Sequence, residues 1–162
     1  MVFWLGLLTL ILLLQFAVLF GPPYVPTRKK ERAQALELLN LKKGQKFYDL
    51  GCGDGSLVKE AAQKGIVAVG YEINPILAAI AWLRTIKVRN NARIILGNFW
   101  NADISDADGV FVFLAEKFMR KLHNFLNRQA SKKTIRLVSY GFTIKNKKPA
   151  GKKGALLLYL YR

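Results

Sequence analysis

The residues best suited to chemistry are those of a glycine-rich turn and an acidic residue further along the chain. The turn is the stretch Tyr-Asp-Leu-Gly-Cys-Gly-Asp-Gly at 48–55, and Glu72 follows the next apolar run. Glycines let the backbone turn sharply off a strand and approach a ligand closely, and a carboxylate can accept two hydrogen bonds from the cis-diol of a ribose. Together the two segments predict a nucleoside-binding site.

The spacing within the turn indicates which nucleoside it suits. Gly51 lets the chain leave the strand, Gly53 removes a Cβ where a ligand approaches, and Gly55 lets the next helix pack close to the strand. The third glycine follows the second more closely than in Gly-x-Gly-x-x-Gly, so less room is left for the pyrophosphate of a dinucleotide. Asp49, at the strand end, suits an amino group. These features favour S-adenosylmethionine over a dinucleotide.

Apolar runs alternate with helical patterns along the rest of the chain. Such alternation predicts an α/β domain with a parallel sheet covered by helices on both faces. Helices are expected at 27–40, 56–64, 76–88 and 116–128, and strands at 46–50, 66–71, 92–96, 110–114, 134–139 and 155–161. A basic loop is expected at 145–154.

Ligands of parallel sheets bind where the strands end at their carboxyl edge. The glycine turn, Glu72, the Asn98-Phe99 pair and the stretch 114–116 all fall at such ends. We therefore expect these segments, which are distant in sequence, to form one site.

The first 20 residues contain no charged side chain. Twenty helical residues span roughly 30 Å, the thickness of a bilayer's hydrocarbon core. We therefore expect a transmembrane helix at 1–20, a linker at 21–26 and a catalytic domain at 27–162; a cleaved signal peptide or a buried hairpin helix is the alternative. The positive-inside bias predicts a single-pass protein whose domain is cytoplasmic, because basic residues follow the apolar stretch closely: Arg28, Lys29, Lys30 and Arg32.

The formal net charge of +16 predicts a polyanionic partner or a strongly solvated surface. Beside a membrane anchor, a basic chain is expected to contact anionic lipid headgroups; nucleic acid is the competing partner. With the anchor predicted, lipid is favoured and no nucleic-acid partner is expected. A monomer without a metal site is also predicted.

Several stretches resemble one known group of enzymes. The turn at 49–55 is similar to motif I of the class I, seven-β-strand methyltransferases. The stretches Pro-Tyr-Val-Pro-Thr at 23–27, Ala-Val-Gly-Tyr-Glu-Ile-Asn-Pro at 68–75 and Asn-Phe-Trp at 98–100 resemble the membrane-anchored protein-lysine methyltransferases of the ATP synthase c subunit and adenine nucleotide translocase type. The resemblance runs from the apolar N-terminal stretch to about Leu114.

The resemblance implies a Rossmann-like sheet of seven mostly parallel strands that binds S-adenosylmethionine. The implied cofactor-binding residues are Thr27, Asp49, Gly51, Cys52, Gly53, Gly55, Glu72, Ile73, Asn98, Phe99 and Leu114. This chain departs from the family pattern at Asn98, where aspartate is usual, and at Glu116, where a proline tends to follow the fourth strand. The amide oxygen of Asn98 can still face the adenine amino group.

The implied reaction is methyl transfer to a lysine amine of a membrane protein. Orientation of donor and acceptor supplies much of the rate of such a reaction, and a carboxylate can position the incoming ammonium; Glu116 and Asp103 are the candidates. Two other functions stay open. One is a small-molecule or lipid methyltransferase, and the other is a non-catalytic S-adenosylmethionine-binding membrane protein. The absence of an Asn-Pro-Pro-Tyr run after the fourth strand disfavours methylation of a base or a side-chain amide.

Overall fold

The computed structural model describes residues 4, 6, 25–130 and 133–162. Helices and strands alternate through most of this range, as the apolar pattern predicts. The helices are α1 (Lys29–Leu39), α2 (Ser56–Gln63), α3 (Pro75–Thr85) and α4 (Met119–Gln129). The strands are β1 (Lys46–Leu50), β2 (Val67–Glu72), β3 (Ala92–Leu96), β4 (Gly109–Val112), β5 (Ile135–Tyr140), β6 (Gly151–Lys153) and β7 (Leu156–Tyr161).

The seven strands form one sheet in the order β3-β2-β1-β4-β5-β7-β6. The strands β1 to β5 pair in parallel, whereas β7 lies antiparallel to both β5 and β6. The predicted sheet of seven mostly parallel strands is confirmed. The strand order reverses between β1 and β4, and the carboxyl ends of strands at such a reversal open a crevice for a ligand.

Alternating side chains of the strands pack into two apolar cores, one on each face of the sheet. Phe47 of β1 packs with α1, α2 and α3, and the next residue, Tyr48, packs with α4 on the opposite face. This follows from the two-residue period of a strand. The prediction of helices on both faces is confirmed.

The ends of two helices follow from their capping residues. The side chain of Asn74 accepts hydrogen bonds from the backbone N–H groups of Ile76 and Leu77, and Pro75 occupies the first helical position of α3, where it costs no hydrogen bond. Asn40, with φ of 45°, ends α1. The N-cap of α1 is Arg28, so the helix begins at Lys29, two residues after the predicted start at 27.

The structure differs from the sequence prediction most in the basic segment before the last strand. Instead of a loop over 145–154, residues Gly151–Lys153 form the edge strand β6. Two predicted helices also change type at one end, because 3-10 turns occupy Ile86–Val88 after α3 and Glu116–Phe118 before α4.

The predicted membrane anchor at 1–20 lies outside the described residues, apart from Trp4 and Gly6. Among the described residues, no helix combines the length and the apolarity needed to cross a membrane. The longest of these helices have 11 residues, which is about 16 Å against the roughly 30 Å of a bilayer core. The predicted location, a single-pass membrane protein with a cytoplasmic domain, is contradicted by this finding and is not retained.

Candidate active site

The glycine turn leaves the carboxyl end of β1 and is fastened to the neighbouring strand. Gly51, Gly53 and Gly55 have φ values of 93°, 54° and 74°, a region that side-chain-bearing residues rarely adopt. The backbone N–H groups of Gly51 and Cys52 both donate to the carbonyl oxygen of Tyr71, at 2.9 Å each. The turn therefore has a defined position beside the end of β2.

Glu72 connects the turn to the start of α3. Its Oε2 accepts a hydrogen bond from the backbone N–H of Gly53 at 2.8 Å, and its Oε1 accepts one from that of Asn74 at 2.9 Å. The side chain is buried. Each carboxylate oxygen retains acceptor capacity, so this acid can hold a cis-diol while it keeps its backbone contacts.

Asp49 is a buried acid whose surroundings favour its protonated form. Burial raises the pKa of Asp49 to about 8, and the nearby carboxylates of Glu72 and Asp54 add to the effect. A cationic group placed beside Asp49 would reverse this situation, since an opposite charge stabilises the carboxylate. The site thus has the chemistry to receive an ammonium group.

A cleft of about 70 Å³ opens beside this acid. A Cβ on Gly51 would meet no atom within 4 Å, so the backbone there faces open space that a ligand can occupy. The cleft is lined by twelve residues: Val25, Thr27, Arg32, Asp49, Gly51, Cys52, Gly53, Asp54, Ser56, Leu57, Phe111 and Phe113. Asp49 is therefore one of the residues that face this open space.

The other two small residues of the turn serve packing. A Cβ on Gly55 would lie 2.7 Å from the Cβ of Ala81, so Gly55 permits the close approach of α3. Cys52 packs against Gly70, where a Cβ would lie 2.7 Å from its sulfur. Burial raises the pKa of the Cys52 thiol, which keeps it protonated and poorly nucleophilic.

One side of the cleft is formed by the segment that leads into α1. Thr27 lines the cleft, and its carbonyl oxygen accepts a hydrogen bond from Arg32. The guanidinium of Arg32 also forms an ion pair with Glu60 of α2 at 2.8 Å. Arg32 therefore holds this entry segment, residues 25–28, against the helix that follows the glycine turn.

Six predicted cofactor residues lie outside the lining of the cleft: Gly55, Glu72, Ile73, Asn98, Phe99 and Leu114. Ile73 is exposed directly after Glu72. Asn98 caps the 3-10 turn Phe99–Asn101, and its side chain accepts a hydrogen bond from the N–H of Trp100 at 3.1 Å. Phe99 packs on Trp100 with ring centroids 4.5 Å apart, and Leu114 is partly buried against the core beside α4.

The two predicted catalytic acids also lie outside the cleft lining. Glu116 is exposed at the start of the 3-10 turn Glu116–Phe118. The carboxylate of Asp103 accepts a hydrogen bond from the N–H of Ser105 at 2.9 Å, a local turn interaction. The structure thus gives Asp103 a role in its own loop.

Sequence reasoning missed several residues that line the cleft, among them Arg32, Phe111 and Phe113. Phe111 and Phe113 alternate along and beyond β4, and Phe113 pairs with Tyr140 at the end of β5 with ring centroids 4.7 Å apart. The strand order indicates that the ends of β4 and β5 are neighbours, and this was the available signal for the aromatic pair.

Class I methyltransferases have a sheet with this strand order, and the first turn of that sheet offers a buried acid in place of a phosphate site. The present chain is an S-adenosylmethionine-dependent enzyme of that class. The family model of the ANTKMT methyltransferase domain matches residues 49–151. The chain belongs to this family.

Curated relatives of this chain are named as lysine methyltransferases, and two of them show the range of the match. A protein-lysine N-methyltransferase of Saccharolobus islandicus is 38% identical over 131 residues, which cover 78% of this chain and 81% of the relative. The human lysine N-methyltransferase of the ATP synthase c subunit is 32% identical over 109 residues, 66% of this chain. The alignment covers only 46% of that human protein.

A solved structure supports the cofactor. An RNA methyltransferase from Salinibacter ruber in complex with S-adenosyl-L-homocysteine has a TM-score of 0.73 and 28% identity, over 85% of this chain and 92% of that chain. S-Adenosylhomocysteine is what remains of S-adenosylmethionine after methyl transfer. The prediction of S-adenosylmethionine as cofactor is confirmed.

Proposed function

We propose that this chain transfers a methyl group from S-adenosylmethionine to the side-chain amine of a lysine, and that the acceptor belongs to a membrane protein. The observation that carries the lysine assignment is the similarity to the Saccharolobus protein-lysine N-methyltransferase, which extends over most of both chains. The membrane acceptor follows from the human relative, whose name specifies a component of the ATP synthase.

For the cofactor, we propose that Glu72 binds the ribose hydroxyls and that Asp49 binds the ammonium of the amino acid tail. Gly51, Cys52 and Gly53 would border the tail with their backbone. The ribose assignment is supported by the position of Glu72, since both of its oxygens are oriented by backbone N–H groups. Further contacts are proposed at the adenine and around the turn, from Gly55, Ile73, Asn98, Phe99, Leu114 and Thr27.

For the acceptor, we propose an approach past the aromatic pair Phe113 and Tyr140. The bound cofactor supplies a methyl group that is already activated on a sulfonium, so the protein's task is to align and deprotonate the amine. Apolar walls disfavour the charged ammonium and lower its pKa. Glu116, exposed just beyond β4, is retained as the acid that attracts the incoming lysine. Asp103 is the weaker candidate because it serves its own loop.

We further propose that a lipid bilayer is a partner of the domain, which acts as a monomer. The support is the net charge of +16, because a polybasic surface is attracted to anionic headgroups by about 1 kcal/mol per basic residue near the surface.

Methylation of RNA is a second candidate, favoured by the likeness to the Salinibacter enzyme and by the same positive charge. The two candidates differ in what the enzyme modifies. RNA should become labelled in the second case, and a lysine amine in the first.

The test is to incubate the full chain and labelled S-adenosylmethionine with membranes, soluble proteins and RNA from the source cells in separate reactions. Mass spectrometry should find methyl-lysine in a membrane protein. The matched control is Glu72→Ala, which should lose about 1.5–3 kcal/mol of cofactor affinity with the hydrogen bonds to the ribose. Label confined to RNA or to lipid would contradict the lysine proposal.

A further inference from the structure

The side of α3 that faces away from the sheet is apolar. Its buried side consists of Ala78, Ala81 and Thr85. On the opposite side Ile76, Ile80 and Leu83 recur at helical spacing and are 57%, 40% and 62% exposed. A surface helix normally carries polar residues there. We call this the outer face of α3.

Two more apolar side chains widen the outer face. Trp82 is 57% exposed and Ile86, in the following 3-10 turn, is 44% exposed. Clustered exposure of this kind marks an interaction site, whereas single exposed apolar residues do not. Tryptophan is also enriched at membrane–water interfaces.

The charge around the outer face is positive. The sequence has no acidic residue between Glu72 and Asp103, and four basic residues lie in that interval: Arg84, Lys87, Arg89 and Arg93. Arg84 pairs with Asp54. Lys87 and Arg89, directly after α3, are exposed and form a basic rim beside the apolar residues.

We infer that the outer face of α3 inserts into the headgroup region of an anionic lipid bilayer. A helix with apolar side chains directed outward and a rim of Lys and Arg has the composition of an interfacial membrane contact. A symmetric dimer through this face would place the basic rim against itself, which is repulsive, and nucleic acid offers no matching apolar surface. This inference rests on the lipid partner proposed above.

The contact is peripheral and bears on the active site. α3 has 11 residues, so it is too short to span the core and lies along the surface instead. The backbone N–H of its N-cap residue, Asn74, donates a hydrogen bond to the carboxylate of Glu72. Insertion of the outer face would therefore hold the cofactor cleft close to the headgroups.

A spin label on the outer face tests the inference in the full chain. Leu83→Cys is labelled with a nitroxide, and Asn124→Cys on α4 serves as the matched control on the other face of the sheet. Wild type treated with the same nitroxide reagent shows how much label attaches to the native Cys52, which is buried. Because a nitroxide reports only its own surroundings, contacts made elsewhere in the chain do not affect the reading.

Vesicles of phosphatidylcholine with phosphatidylglycerol should exclude a water-soluble nickel complex from the label at 83 and expose it to oxygen, while the label at 124 stays accessible to nickel. Equal burial on pure phosphatidylcholine would overturn the requirement for anionic lipid. Burial without vesicles at high protein concentration would instead assign the face to a second copy of the chain. Vesicle binding that leaves label 83 in water would reject the outer face, and absence of vesicle binding would reject the lipid partner itself.

A paired substitution gives a second reading. Ile80→Gln with Leu83→Gln should weaken partition into anionic vesicles on the order of tenfold, since two apolar side chains no longer leave water. Val67→Gln, at another exposed apolar position, should have little effect. Both variants should bind S-adenosylmethionine like wild type, and equal partition of the two variants would contradict the inference.

Discussion

The proposed role of Asp49 in binding the cofactor's ammonium opposes the stability of the unliganded protein, because an acid is costly to bury. We predict that Asp49→Asn weakens S-adenosylmethionine binding and stabilises the unliganded protein. Between pH 3.8 and about 8 the folded wild type keeps a proton on Asp49 that the unfolded chain has lost. Wild type should therefore lose stability as the pH rises through this range, whereas the asparagine variant should not.

The difference in unfolding free energy should reach on the order of 1–3 kcal/mol above about pH 8. Urea unfolding of both proteins, at about pH 5 and about pH 9, measures it. The same pH dependence in the two proteins would show that Asp49 is not the titrating group.

Cofactor binding should also release a proton. At about pH 7, below the raised pKa of Asp49, the carboxyl is mostly protonated, and a bound ammonium should drive it to ionise. Calorimetry in two buffers of different ionisation enthalpy counts the released protons. The Asp49→Asn variant should release none at this position, and equal release from both proteins would place the proton elsewhere.

At the scale of elements, the contact between α2 and α3 depends on one glycine. Gly55→Ala should be strongly destabilising, because its Cβ would lie 2.7 Å from that of Ala81. Gly44→Ala is the matched control, since Gly44 has a similar φ of 80° but open space around it. The positive φ costs both variants about 1–3 kcal/mol, and Gly55→Ala should lose about 1–3 kcal/mol more from overpacking. Equal losses of unfolding free energy in chemical denaturation would mean that α2 and α3 move apart to accommodate the added methyl group.

Elements with strong apolar patterns were predictable, and the edge strand was not. β3 occupies the predicted residues 92–96, since a run of branched apolar residues there has few alternatives. β6 consists of Gly-Lys-Lys, which has no strand pattern of its own, and it forms by pairing with β7. Lysines on an edge strand discourage pairing with further chains, so the feature that hid β6 from prediction also protects the edge of the sheet.

For the whole molecule, the excess of positive charge should make stability depend on salt. The described residues contain five ion pairs, and exposed pairs contribute about 0–1 kcal/mol each. Repulsion within a net charge of +16 should outweigh them. Raising the ionic strength from about 0.01 M to about 0.15 M shortens the screening length from about 30 Å to about 8 Å and should raise Tm. Sucrose at matched osmolality is the control, and a Tm that falls with salt would show that the ion pairs dominate.

The same scale explains which parts of the site were visible in the sequence. Asp49, the glycines and Glu72 lie within one strand–turn–helix–strand unit, so their spacing predicted their meeting. Arg32 and Glu60 are 28 positions apart, and neither carries a motif. Their contact exists only after α1 and α2 have packed on the same face of the sheet.

The proposed ribose contact of Glu72 has a consequence for how the enzyme distinguishes its ligands. Its two oxygens are oriented by the N–H groups of Gly53 and Asn74 at 2.8 and 2.9 Å, so its side chain lost its rotational freedom when the chain folded. Binding a nucleoside therefore requires little further ordering of this residue. A rigid pair of acceptors matches two vicinal hydroxyls. When the sugar is a 2′-deoxyribose, one acceptor has no hydroxyl to accept a hydrogen bond from. In the proposed site, discrimination between the two sugars is thus an equilibrium property of a pair of acceptors that is already in place before the nucleoside binds.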